Sequence, residues 1–267
     1  MICQMFGVHP KSIYKVNGPK KFYHKAEDNE VLEQVRSVIS LRPTYGYKRV
    51  TAMVNRLRLT LGHSRINKKR IYRIMKMNGL LLPKSEVTRT HTPTGKVMTL
   101  HSNTRWCSDC FEIKCFNGEK VFVSFVLDTC DREVISFISS ASALLATDIE
   151  KLMLKAVRYR FSDYKTPRTI EFLSDRGSIY RAHSVKNLAK HLGLKSCYTA
   201  AYSPESNGMS EALVKTIKRD YVYNSDCFSA EVVLKMIKGW FEDYNENAPH
   251  SGLGMKSPKE YLLINQR

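Results

Sequence analysis

Residues 106–139 read WCSDCFEIKCFNGEKVFVSFVLDTCDREVISFIS, and the periodicity of this stretch sets the architecture. Trp106 to Cys115 alternates as a strand does, and Asn117-Gly118 follows as a hairpin turn. Val121 to Leu127 supplies a second strand and Glu133 to Ser139 a third. Beyond this meander the period lengthens. Ile149, Leu152, Met153, Ala156 and Val157 give a helix over Thr147 to Phe161, and Thr169 to Leu173 returns to a strand. Then come a helix over His183 to Leu192, a short strand near Cys197 to Ala201, and helices from about Ser206 to Tyr221 and Ala230 to Tyr244. This order predicts an α/β sheet with helices on its faces.

The chain ahead of Asn103 is helical and strongly cationic. Val31, Leu32, Val35 and Ile39 predict a first helix with Asn29 as N-cap, broken by Arg42-Pro43-Thr44-Tyr45-Gly46-Tyr47. Val50, Met53, Val54 and Leu57 mark a second. Ile66, Ile71, Ile74 and Met75 mark a third, with Ser64 as its cap and Asn78-Gly79 as a left-handed close. Of the net charge of +18, residues 1–102 carry +15 (20 Lys/Arg against 5 Asp/Glu) and the rest only +3. Such asymmetry points to a polyanion partner, because basic side chains on phosphates release counterions. Three short helices suit a helix-turn-helix, whose recognition helix would offer Lys68, Lys69, Arg70 and Arg73 to double-stranded DNA. The expected division is a helix-turn-helix region over 1–82, a polar linker over 83–102, a catalytic core over 103–225, and a closing helix and tail over 226–267.

Three carboxylates stand out. Asp109 lies within the first strand. Asp175 follows the strand Ile170–Leu173, at the end where α/β sheets place their sites. Glu211 lies in a helix after 35 intervening residues. Magnesium is a hard cation held by a few carboxylates and substrate phosphate. Two such ions can activate the attacking oxygen and stabilise the leaving one in an in-line displacement. Two strand-borne aspartates and a helix-borne glutamate would hold both. Asn207, Glu211, Lys215 and Lys218 share one helical face, which suits a metal site meeting a phosphate backbone, and Arg219 adjoins them. The competing reading of Glu211 and Lys215 is an ordinary i,i+4 ion pair.

The other polar residues read as structural. Cys107 and Cys110, with Cys115 and His101 near, could be a zinc set, but the strand pattern favours buried core residues. Asp128 and Asp131 fit a turn, Trp106 the core, and His183 and His191 a helix surface. Seven cysteines at irregular spacing argue against a disulfide scaffold. No run of 18 apolar residues predicts a membrane span, and Met1 to Val8 lack a basic leader, so a cytoplasmic protein is expected.

The element order matches the ribonuclease-H-like arrangement, and the motifs resemble a known family. Trp106-Cys107-Ser108-Asp109, Leu173-Ser174-Asp175-Arg176-Gly177, Ser203-Pro204-Glu205-Ser206-Asn207-Gly208-Met209-Ser210-Glu211 and Pro249-His250-Ser251-Gly252-Leu253 occur in order. Together with the helical front, they resemble the second-frame product of IS-three-family insertion-sequence transposases, which carry a retroviral-integrase-like core. The resemblance implies a D-D-E triad at Asp109, Asp175 and Glu211 with two Mg²⁺, or Mn²⁺ as substitute. It implies hydrolysis at an element end, then attack of the freed 3′-hydroxyl on target DNA. It also implies a homo-oligomer on DNA, association with the nucleoid, and fusion to an upstream-frame product, against which Met1 to Val8 read as a shortened front end. The alternatives are a catalytically silent copy repressing its element, and a nuclease without strand transfer.

Overall fold

The computed structural model describes residues 25–83, 99–199 and 208–265. Expectations for Met1 to Val8, linker residues 84–98, Ala200, Ala201 and Asn207 lie outside the described residues. Three helices open the described chain: α1 (Asp28–Leu41), α2 (Tyr47–Thr60) and α3 (Lys68–Met77). Val31, Val35, Val50, Val54, Ile71, Ile74 and Met75 meet in their core with Tyr45. Two expected caps fall elsewhere. α1 begins at Asp28, one residue before Asn29, because the Asp28 carboxylate accepts the Lys25 N–H at 2.9 Å. The cap of α3 is Asn67, which accepts the Lys69 N–H at 2.9 Å. Ser64 lies too early for that role, since Asn55 holds the Ile66 N–H and C=O at 2.7 and 3.0 Å ahead of the helix. Gly79, at φ 67°, closes α3 in the left-handed region as its sequence predicts.

The second part is a five-stranded sheet in the order β3-β2-β1-β4-β5. Its strands are β1 (Arg105–Lys114), β2 (Lys120–Asp128), β3 (Val134–Ser140), β4 (Ile170–Ser174) and β5 (Leu194–Tyr198). The first three form the antiparallel meander, while β4 pairs parallel with β1 and β5 parallel with β4. β5 begins earlier than expected. Gly193, at φ 81°, ends the preceding helix and turns the chain straight into the Ile170↔Leu194 pair.

Helices cover both faces: α4 (Ala146–Phe161), α5 (Ser178–Arg181), α6 (His183–Leu192), α7 (Gly208–Asp220), α8 (Ala230–Asn247) and α9 (Pro258–Asn265). Alternation along the strands sorts side chains to opposite faces. Trp106, Val126, Ile170 and Phe172 pack under α4 and α6. Cys107, Phe111, Ile113, Val123 and Phe125 pack under α7 and α8. Phe125 and Phe172 are wholly buried, and burying a side chain of that size contributes on the order of 2–3 kcal/mol.

The helical unit docks on the α7–α9 side through ion pairs. Arg42 makes a two-pronged pair with Asp243, and Arg56 pairs with Glu260. Asp220 accepts from Thr44 and Arg49, each at 2.6 Å. Among the described residues no helix is long and apolar enough to cross a membrane.

Candidate active site

The strand register brings the two aspartates level. β1 and β4 pair Cys107 with Leu173; two residues further along each stand Asp109 and Asp175. Alternation places Asp109 on the face of Cys107, Phe111 and Ile113, the face that α7 covers. Leu213 and Ile217 of α7 are buried there, and Ser210 lies against the Cys107 thiol. Glu211, the next residue, therefore comes to the Asp109 end of the helix.

The electrostatics record the convergence. Asp109 is half-buried, and its carboxyl is pushed up to about 6. Burial is the main cause, the negative charges of Asp175 and Glu211 add to it, and the Cys110 N–H opposes it. Asp175 is exposed and accepts the Gly177 N–H at 3.0 Å. A Cβ on Gly177 would stand 3.0 Å from that same Asp175 oxygen, so glycine keeps the carboxylate in place. Neither aspartate has a cationic partner among the described residues, whereas Glu211 has Lys215 at 3.7 Å. An oxygen-only set with excess negative charge suits a hard divalent cation. Among the described residues no three His, Cys, Asp or Glu side chains close to coordination geometry.

Tyr180, which the sequence reading passed over, ties the site together from behind. Its buried hydroxyl, on α5 just after the Asp175 turn, lies 2.8 Å from Ser108 Oγ and 3.0 Å from Ser124 Oγ. The tyrosine thus couples the Asp175 turn to the strand of Asp109. A signal was present: Ser108 and Ser124 sit inside apolar strands, and a buried hydroxyl needs a partner.

The proposed DNA contacts fall into separate groups. Lys68 and Lys69 are exposed at the start of α3, where the helix dipole disfavours cations and favours a phosphate. Arg70 and Arg73 instead turn onto Asp28, with Arg70 Nε 2.8 Å from its carboxylate, and hold α3 to α1. Lys215 is exposed on the Glu211 face, and Lys218 lies 5.8 Å from the Phe111 ring centroid. Arg219 pairs with Asp220 at 2.6 Å.

The residues read as structural are so placed. Trp106 is buried and stacks on Phe161, and Cys107 and Cys115 are buried. Asp128 and Asp131 brace the β2–β3 turn and pair with Arg160, while His183 and His191 are bonded to Asn187 on an exposed helix face.

A five-stranded mixed sheet with helices on both faces, beside a basic three-helix unit, is the arrangement of integrase cores with a helix-turn-helix-like front. The comparisons agree. Residues 100–204 and 192–258 match models of the integrase core domain, and residues 26–85 match an HTH-like domain. The chain is 43% identical over 240 residues to transposase InsD for insertion element IS2A/D/F/H/I/K of Escherichia coli, covering 88% of this chain and 79% of that one. It belongs, accordingly, to the insertion-sequence transposases of the IS-three family. Among solved structures, the catalytic domain of Mos1 mariner transposase is similar at 19% identity and TM-score 0.47 over 60% of this chain and 79% of that one. The HTLV-2 integrase catalytic core solved with magnesium is similar at 15% identity and TM-score 0.46 over 61% of this chain and 97% of that one.

Proposed function

We propose that this transposase cleaves DNA at the ends of its element and joins the freed 3′-hydroxyl to target DNA by direct phosphodiester exchange. The observation that carries this is the placement of Asp109 on β1 level with Asp175, one residue beyond the parallel strand β4, with Glu211 brought over the same face and electrostatically coupled to Asp109. These three carboxylates would hold two Mg²⁺, for which Mn²⁺ substitutes. When bound, the ions supply Lewis acidity at both the entering and the leaving oxygen. Gly177 and Tyr180 fix the Asp175 turn against β1. Lys215, on the face of Glu211, offers charge to the strand being cut. Lys68 and Lys69 serve in DNA recognition by the front unit. Arg70 and Arg73 retain a DNA role only through positioning α3. A homo-oligomer on DNA, nucleoid association and an upstream-frame product complete the proposal.

The test incubates the purified chain and its Glu211→Gln variant with a labelled element-end duplex and Mg²⁺. Nicking and joined products are expected from the wild type alone, with equal DNA binding by both. Binding without nicking or joining by the wild type would overturn the catalytic proposal.

A further inference from the structure

A cavity of about 500 Å³ opens at the seam between the helical unit and the core. Its wall contains Lys48, Arg49, Arg132, Arg219 and His250 but no carboxylate. Asp220 lies outside the wall and satisfies Arg49 and Arg219. Lys48 and Arg132 have no carboxylate partner among the described residues. Arg132 sits against Gly252. Its backbone adopts φ 61°, and its guanidinium lies so close over Gly252 that a Cβ there would stand 2.1 Å from Nη2. Beside it, His250 Nε2 is buried without a hydrogen-bond partner. α2 also starts at this wall, and its N-cap, Gly46, provides no side-chain acceptor.

Cations without a carboxylate partner on one wall make the local potential positive, which favours an anion there. The volume suits a group of nucleotide size. On α7, Met209, Ala212, Leu213 and Thr216 face the cavity, whereas Glu211, Lys215 and Lys218 share a different side of the helix. The seam and the carboxylates therefore lie on different sides of α7.

We propose that this cavity is a second DNA-phosphate site, in which Arg132 and Lys48 hold a backbone phosphate from a DNA segment other than the one at the carboxylates. Arginine would grip two phosphate oxygens and lysine would add a point charge. The inference rests on the DNA-acting reading of the family fold, and not on the metal chemistry. A DNA strand anchored at the seam would also cross-link the helical unit to the core.

The test is equilibrium binding of the full chain to a labelled element-end duplex in EDTA, which removes catalysis, between about 50 and about 200 mM salt. Lys48→Gln removes an exposed side chain and leaves the fold intact. Arg132→Asn suits the left-handed backbone. Each is expected to weaken binding several-fold at low salt and to reduce the salt slope by about 1. Affinity would then fall about 3.5-fold less across that salt range than it does for wild type. Arg132→Lys should recover part of the loss, and Gly252→Ala, which displaces the guanidinium without removing its charge, should reproduce it. Unchanged affinity and slope in Lys48→Gln and Arg132→Asn would overturn the proposal. So would a thermal shift by inorganic phosphate that Arg132→Asn abolishes while DNA binding stays normal, for the site would then take small anions. Wild type that binds but fails to cut in Mg²⁺ sinks the catalytic proposal and leaves this result standing.

Discussion

Asp220→Asn should loosen the helical unit from the core. The wild-type carboxylate is 2% exposed and receives Thr44, Arg49 and Arg219, with Arg49 19% and Arg219 50% exposed. Burial alone would raise its pKa, but the bonds from Arg219, Arg49 and Thr44 outweigh that and hold it below the ordinary carboxylate range. An amide keeps the Thr44 bond and loses the charge. The half-exposed Arg219 is re-solvated, so its share is below about 1 kcal/mol. Arg49 is left mostly buried beside a neutral group, which costs about 2–3 kcal/mol. The expected loss is roughly 3 kcal/mol by urea denaturation, with Arg219→Gln costing under about 1 kcal/mol. A double-mutant cycle between Arg49→Gln and Asp220→Asn should show coupling of about 2 kcal/mol. The sign with pH follows from the lowered pKa. The contribution is full above the ordinary carboxylate pKa near 4 and disappears as pH falls through the lower folded value. If Asp220→Asn stays within about 0.5 kcal/mol of wild type, or the two substitutions are additive, the account of the seam is wrong.

Two further outcomes are expected. Gly177→Ala puts a Cβ 3.0 Å from Asp175 Oδ1; strand cleavage should fall roughly 10–100-fold, as misplaced catalytic groups do, while DNA affinity holds. A loss of affinity matching the loss of rate would show a folding defect instead. His250 is held neutral, its pKa lowered to about 4 by burial first, then by Arg132, Arg49 and Arg56, with Asp220 opposing. Its unfolded form takes a proton near 6.5, so stability should decline as pH falls from about 6.5 to about 4, by up to roughly 3 kcal/mol. Thermal unfolding of His250→Gln, if it keeps the same pH slope, would assign that decline to other groups.

Much of this was legible in the chain. Strand alternation with Asn117-Gly118 specified the meander, because a period of two and a tight turn are local properties. Helical spacing placed His183–Leu192 to the residue. Asp109, Asp175 and Glu211 could be picked from the sequence by their motifs. Their level placement came from the β1–β4 parallel pairing, which joins segments more than sixty residues apart. The misplaced caps have a partly local origin, since the Asp28 carboxylate takes the N–H of Lys25 three residues away. Asn29 and Ser64 are adequate caps locally, but Asp28 and Asn55 are committed to partners on other segments.

The charge of the front third was a matter of composition, whereas the destination of each cation was not. Arg70 and Arg73 read like Lys68 and Lys69 in sequence, yet only folding sets Asp28 against them. Arg132 carries no signal in the sequence, and only folding brings Gly252, far along the chain, beneath its guanidinium. Local patterns determined the elements and singled out Asp109, Asp175 and Glu211 as candidates. Tertiary structure decided which charges were paired and which stayed exposed, because that depends on pairing between segments distant in sequence.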